Sequence, residues 1–130
     1  MHGNTVRKEA FTVYVVDDDE SIRRALKRLL GSVGYHALAF KSAEEFLECP
    51  FDPDEGCLVL DVRLPGMTGF ELQEKLSAQG SMVPFLFMTA HDNPQWQKMA
   101  KKAGAVAYLK KPFLEQKLFD AIRLCCEKQV

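Results

Sequence analysis

The sequence carries no dominant charge of either sign. Lys plus Arg number 17 and Asp plus Glu 18, for a net charge of −1. A nucleic-acid surface therefore has no footprint in the charge balance, and no direct nucleic-acid binding is expected. No stretch is long and apolar enough to span a bilayer. The polar segment Met1–Ala10 lacks the apolar core of a signal peptide. Cys49, Cys57, Cys125 and Cys126 form no C-x-x-C, and no His lies at ligand spacing from them, so a zinc site is not expected. They read as small reduced hydrophobes, and the expected location is cytoplasmic. Walker A and G-x-G-x-x-G sequences are absent. There is no linker, repeat or low-complexity tract. With 130 residues, 47% hydrophobic and 27% charged, the chain suits one globular domain.

What is present is an alternation, five times over, of a short apolar run and an amphipathic segment. That pattern marks a doubly wound α/β sheet. The predicted strands are Thr12–Val16, Tyr35–Phe40, Cys57–Leu60, Pro84–Met88 and Ala105–Leu109. The fourth is continuous and apolar, which suits an interior position. The first helix places Ile22, Ala25, Leu26, Leu29, Leu30 and Val33 at helical spacing and stops at Gly34. Ser42 caps a short second helix through Leu47, with Glu45 at the capping-box position. Phe70–Ala78 is the third helix, after a Pro- and Gly-containing loop at Arg63–Gly69. Pro94 opens the fourth, which ends at Gly104. Leu114, Leu118, Ala121, Ile122 and Cys125 mark the fifth.

Two of the apolar runs end in acids. The first strand runs into Asp17, Asp18 and Asp19, and the third into Asp61. In an open parallel sheet the carboxyl ends of the strands form the ligand-binding edge. Carboxylates gathered there repel, by roughly 4 kcal/mol per pair at 4 Å and an effective dielectric near 20. Such a cluster holds protons or a hard cation. Thr89 follows the fourth strand and Lys111 the fifth, so one edge collects three carboxylates, a hydroxyl and an ammonium. Oxygen ligands without His or thiolate point to Mg²⁺. A carboxylate can also act as a nucleophile toward phosphorus.

The segments Val15-Val16-Asp17-Asp18, Leu60–Gly69, Met88-Thr89-Ala90 and Lys111-Pro112-Phe113 occur in an order and spacing that resemble one family. This is the receiver domain of bacterial two-component response regulators, the CheY-like fold. The likeness covers about Thr12–Cys126. It implies a five-stranded parallel sheet of order 2-1-3-4-5 with five helices. It implies a phosphoryl group taken from a sensor histidine kinase onto Asp61, and no other enzymatic activity than self-phosphorylation and self-dephosphorylation. Asp17, Asp18, Asp61 and the backbone carbonyl of Arg63 would hold Mg²⁺. Lys111 would bind the phosphoryl group, and Thr89 and Tyr108 would form the switch. Lys111-Pro112 is expected to be a cis peptide. Arg63 two residues after Asp61, and His91 two after Thr89, look like the FixJ-type branch, with both residues as possible modulators of phosphate lifetime. That branch implies a phosphorylation-dependent homodimer through helix four, strand five and helix five. It also implies a C-terminal helix-turn-helix DNA-binding domain for transcription regulation. The expected domain is 12–128 after a tail at 1–11, with the output domain removed; a single-domain regulator is the alternative.

Several residues have plainer readings. Asp19 reads as a helix cap, and Arg23-Arg24 and Lys101-Lys102 as solvated helix faces. His2 and His36 read as exposed, Lys110 as solvent-facing, and His91 as a loop residue at the site mouth. Trp96 and Met99 read as a packed or partner-facing helix surface. One competing function is a small haloacid-dehalogenase-like phosphohydrolase, with Asp17 as nucleophile, because Asp17–Ser21 loosely imitates D-x-D-x-[TV]. Another is a flavodoxin-like FMN module, which the acids would oppose by repelling a phosphate.

Overall fold

In the computed structural model, residues 11–91 and 93–128 are described. His2 and the polar N-terminus lie outside these residues. The chain forms β1 (Thr12–Val16), α1 (Glu20–Ser32), β2 (His36–Phe40), α2 (Ala43–Leu47) and β3 (Gly56–Asp61). It continues as α3 (Gly69–Ala78), β4 (Phe85–Thr89), α4 (Pro94–Ala103), β5 (Tyr108–Lys110) and α5 (Glu115–Lys128). All strand pairs are parallel, in the order β2-β1-β3-β4-β5.

Side-chain alternation along the strands builds two cores. Val13, Val15, Cys57, Val59, Leu86 and Met88 face Leu26 and Leu30 of α1 and Leu118, Ile122 and Cys125 of α5. Tyr14, Val16, Leu58, Leu60, Phe85 and Phe87 face Phe46 of α2, Leu72 and Leu76 of α3, and Ala100 of α4. β3 and β4 are buried on both faces. That explains their unbroken apolar runs, as expected of interior parallel strands. Cys57 and Cys125 are buried free thiols, and burial pushes the Cys57 thiol well above its ordinary range.

Local chemistry sets the helix ends. Asp19 caps α1 through Ser21 N and Ile22 N. Ser42 accepts from Glu45 N, while the Glu45 carboxylate reaches Lys41 N instead of closing the capping box on Ser42. A complete box does form where sequence reasoning named none: Thr68 and Glu71 cap α3 reciprocally. Asn93 caps α4 with Pro94 in its first turn, and Gly104 ends it at φ +90°.

Some boundaries differ from expectation. Phe11, assigned to the tail, is fully buried in the α1/α5 core, so packing starts one residue before the expected domain. α1 ends at Ser32 and Gly34 follows it at φ +94°. β5 starts at Tyr108, not Ala105. Val106 N and Ala107 O still bond to Phe85 and Phe87, so residues 105–107 run beside β4 before the regular strand begins. Leu114, expected on the buried face of α5, precedes the helix and is 72% exposed. Ala25 is exposed too.

Candidate functional site

The strands deliver the acids to one edge. Asp17 follows β1 and is fully buried; Asp61 is the last residue of β3 and 6% exposed. Asp18 is exposed. One carboxylate oxygen from each of the three lies within 4.8 Å of the others. Lys111, just past β5, enters the same space. Its ammonium donates to Asp17 Oδ2 at 2.6 Å and lies 3.6 Å from Asp61 Oδ2. The Lys111-Pro112 peptide is cis, as expected, and Lys111 N donates to Thr89 O at 2.7 Å.

Asp17 and Asp61 are held differently. Asp17 Oδ1 accepts from Asp19 N at 2.9 Å, so both of its carboxylate oxygens are engaged. Asp61 has its pKa pushed from 3.8 up to about 6. Burial is the largest cause, and the Asp17 charge adds to it. The Lys111 charge and the backbone hydrogen bond from Arg63 pull it back, and Asp18 raises it slightly. Asp61 is therefore mostly ionised at neutral pH, but at a cost that a cation or a proton would relieve. The donor set is all oxygen, converging and over-charged. It fits a hard divalent cation such as Mg²⁺. A tight approach supports this edge: a Cβ on Gly69 would stand 2.4 Å from Asp61 O.

The other expected residues surround the cluster. Thr89 ends β4, is fully buried, and its Oγ1 accepts from His91 N at 3.1 Å. Tyr108 lies on β5, half-buried with its hydroxyl buried, and is not part of the carboxylate cluster. His91 is exposed and lies between β4 and α4, in a loop as read from the sequence. Its Nε2 lies 2.9 Å from Arg63 Nη1. A guanidinium only donates, so this nitrogen accepts and carries no proton in that pair. The His91 ring meets Trp96 edge-on at 6.5 Å. Trp96 packs against the α2/α3 core, whereas Met99 is 46% exposed. Lys110 and His36 are exposed.

Sequence reasoning missed two contacts. The first is the Arg63–His91 pair, which periodicity cannot reveal because both residues sit in loops. The second corrects the reading of Arg23 as part of a solvated face. Arg23 Nη1 donates to Asp17 O at 2.8 Å, because a buried carbonyl beyond the strand ladder requires a donor. Arg24 is solvated as expected, in an exposed pair with Glu20.

The sheet order and this edge together define the class of CheY-like domains. A chemotaxis protein CheY4 from Vibrio cholerae superposes with a TM-score of 0.75 at 28% identity, covering 88% of this chain and 98% of that one. A profile of the response regulator receiver domain matches residues 13–123, and the chain belongs to that family. Nodulation protein W of Bradyrhizobium diazoefficiens is 41% identical over 126 residues, covering 97% of this chain and 56% of that protein. The crystal structure of FixJ-N superposes with a TM-score of 0.83 at 37% identity, covering 92% of this chain and 96% of that one. The chain spans about half the length of the curated relatives it matches. The phosphohydrolase alternative, with Asp17 as nucleophile, finds no support in this family match. Among the described residues, no helix is long and apolar enough to cross a membrane.

Proposed function

We propose that this receiver domain accepts a phosphoryl group on Asp61 from the phosphohistidine of a sensor histidine kinase. The observation that carries the reading is the convergence of Asp17, Asp18, Asp61 and Lys111 at one strand edge. An Asp61 carboxylate oxygen attacks phosphorus, the N–P bond breaks, and the electron pair returns to the imidazole of the donor. Asp61 does this as a carboxylate, and its pKa of about 6 leaves most of it ionised at neutral pH. Asp17, Asp18, Asp61 and the Arg63 backbone carbonyl hold Mg²⁺. Bound Mg²⁺ would supply charge neutralisation for the phosphoryl oxygens. Lys111 stands 3.6 Å from Asp61 Oδ2 and needs only a small displacement to reach the new group.

Thr89 and Tyr108 make the switch. The Thr89 hydroxyl turns toward a phosphoryl oxygen, and repacking at Tyr108 carries the change to the α4-β5-α5 face. The two states differ in contacts, as a population shift requires. That face pairs two copies into a symmetric dimer. Arg63 and His91, paired at the mouth, modulate the lifetime of the phosphate. The domain runs through residue 128 and catalyses only its own phosphorylation and dephosphorylation. It works in the cytoplasm without contacting nucleic acid itself. In a full-length protein of the transcription-regulator type, the other half carries the output.

Acetyl phosphate with Mg²⁺ tests the assignment. One acid-labile phosphoryl group should appear on the wild type and none on Asp61→Asn. Labelling that survives in Asp61→Asn but vanishes in Asp17→Asn would overturn it.

A further inference from the structure

The Asp17 carbonyl has left the sheet. Asp17 N still donates to Phe40 O at 3.0 Å, but the β1 registers with β2 and β3 end at Val16. Asp17 is fully buried, and a buried carbonyl needs a donor. Arg23, in the first turn of α1, supplies it from Nη1 at 2.8 Å. The contact ties the peptide plane between Asp17 and Asp18 to the helix.

Besides its N–H, Asp17 is thereby held at three atoms: its carbonyl by Arg23, Oδ1 by Asp19 N, and Oδ2 by Lys111. Asp18 differs. It is exposed, and among the described residues no hydrogen bond or ion pair fixes its carboxylate. Where its Cβ points, and so the arc its carboxylate can sweep, is set by its backbone and by the plane that Arg23 holds. Yet its carboxylate lies within 4.8 Å of those of Asp17 and Asp61.

We infer that Arg23 is a positioning residue for the cation-binding acids: by holding the Asp17 carbonyl it aims the Asp18 carboxylate toward Asp17 and Asp61. The inference rests on reading these acids as a Mg²⁺ site. Charge alone makes the opposite demand. A guanidinium beside a cation site repels the cation, so removing it would tighten binding. Positioning demands weaker binding, because losing a partner behind the ligands costs about 10- to 100-fold in metal affinity.

Calorimetric titration of the full chain with Mg²⁺ separates the two. Arg23→Ala should bind about tenfold more weakly. Arg23→Lys and Arg23→Gln should each recover part of the loss, since each donates from the same helix position. Arg24→Ala, which among the described residues breaks only the exposed 3.5 Å pair with Glu20, should bind as the wild type does. Melting in EDTA reports the fold of each variant separately. If Arg23→Ala does not fold, Arg23→Gln decides: weaker binding than wild type supports positioning, and equal or tighter binding overturns it. Equal or tighter binding in Arg23→Ala overturns it as well. A wild type with no Mg²⁺ isotherm would instead sink the metal-site reading, and this inference with it.

Discussion

Replacing Asp61 with Asn should stabilise the metal-free protein and, in the same molecule, blunt its response to Mg²⁺. Burial and the neighbouring Asp17 raise the Asp61 pKa from 3.8 to about 6. A rise of that size corresponds to at most about 3 kcal/mol that the ionised carboxylate withholds from the native state near neutral pH. Solvent screening at the open edge of the site reduces that figure. An uncharged Asn of similar volume removes the repulsion. It also loses the 3.6 Å attraction to Lys111, which keeps its 2.6 Å bond to Asp17. A net gain of about 1–2 kcal/mol is expected, or roughly 3–8 °C in melting temperature for a chain of this size.

The sign with pH follows from the raised value. Between about pH 4 and pH 6 the native state binds more protons at Asp61 than the unfolded chain does. Wild-type stability therefore falls as pH rises through that window, and the advantage of Asp61→Asn closes on acidification to about pH 4. Added Mg²⁺ should act unequally on the two proteins. At 100 times its dissociation constant it stabilises the wild type by about 2.7 kcal/mol, if the unfolded chain does not bind it. The variant, lacking one anionic ligand, should gain much less. Calorimetric melting in EDTA and in excess Mg²⁺, at two pH values, gives all four comparisons. A variant that melts below wild type in EDTA near neutral pH, with a gap independent of pH, would refute the reasoning.

Three further outcomes are expected. Lys111→Ala should take up phosphoryl groups from acetyl phosphate but lose the conformational response, because the ammonium links β5 to the site; a phosphorylated variant with wild-type spectral and oligomeric changes would remove Lys111 from the switch. Beryllofluoride should change the fluorescence of Trp96, the one tryptophan in the sequence, and drive dimer formation in sedimentation; a monomer with unchanged fluorescence would leave the phosphoacceptor proposal standing and remove the dimer switch. Gly69→Ala should destabilise by about 1–3 kcal/mol through overpacking, since its Cβ would meet Asp61 O at 2.4 Å; unchanged melting and Mg²⁺ affinity would show that the loop relaxes freely.

The architecture was legible in the sequence because burial leaves a periodic trace. β3 and β4 lie between neighbours and under helices on both faces, so Cys57–Leu60 and Phe85–Met88 had to be apolar without a break. Strand ends then located Asp17, Asp61, Thr89 and Lys111 at one edge. Asp19, Ser42, Pro94 and Gly104 announced helix ends through local backbone chemistry alone. Contacts made by long polar side chains left no such trace. That Lys111 reaches Asp17, 94 residues away, at 2.6 Å and Asp61 at only 3.6 Å depends on the sheet order, which brings the ends of β1, β3 and β5 to one edge. That Arg63 meets His91 depends on two loops returning to the same place. Arg23 and Arg24 are neighbours of the same type in one helix, yet one supports Asp17 and the other is solvated. Helical periodicity puts them about 100° apart, but only the tertiary fold puts a buried carbonyl within reach of the first. A sequence records which faces must exclude water. It does not record which polar atoms the folded backbone leaves in need of a donor, and at this site those atoms determined where the charged side chains went.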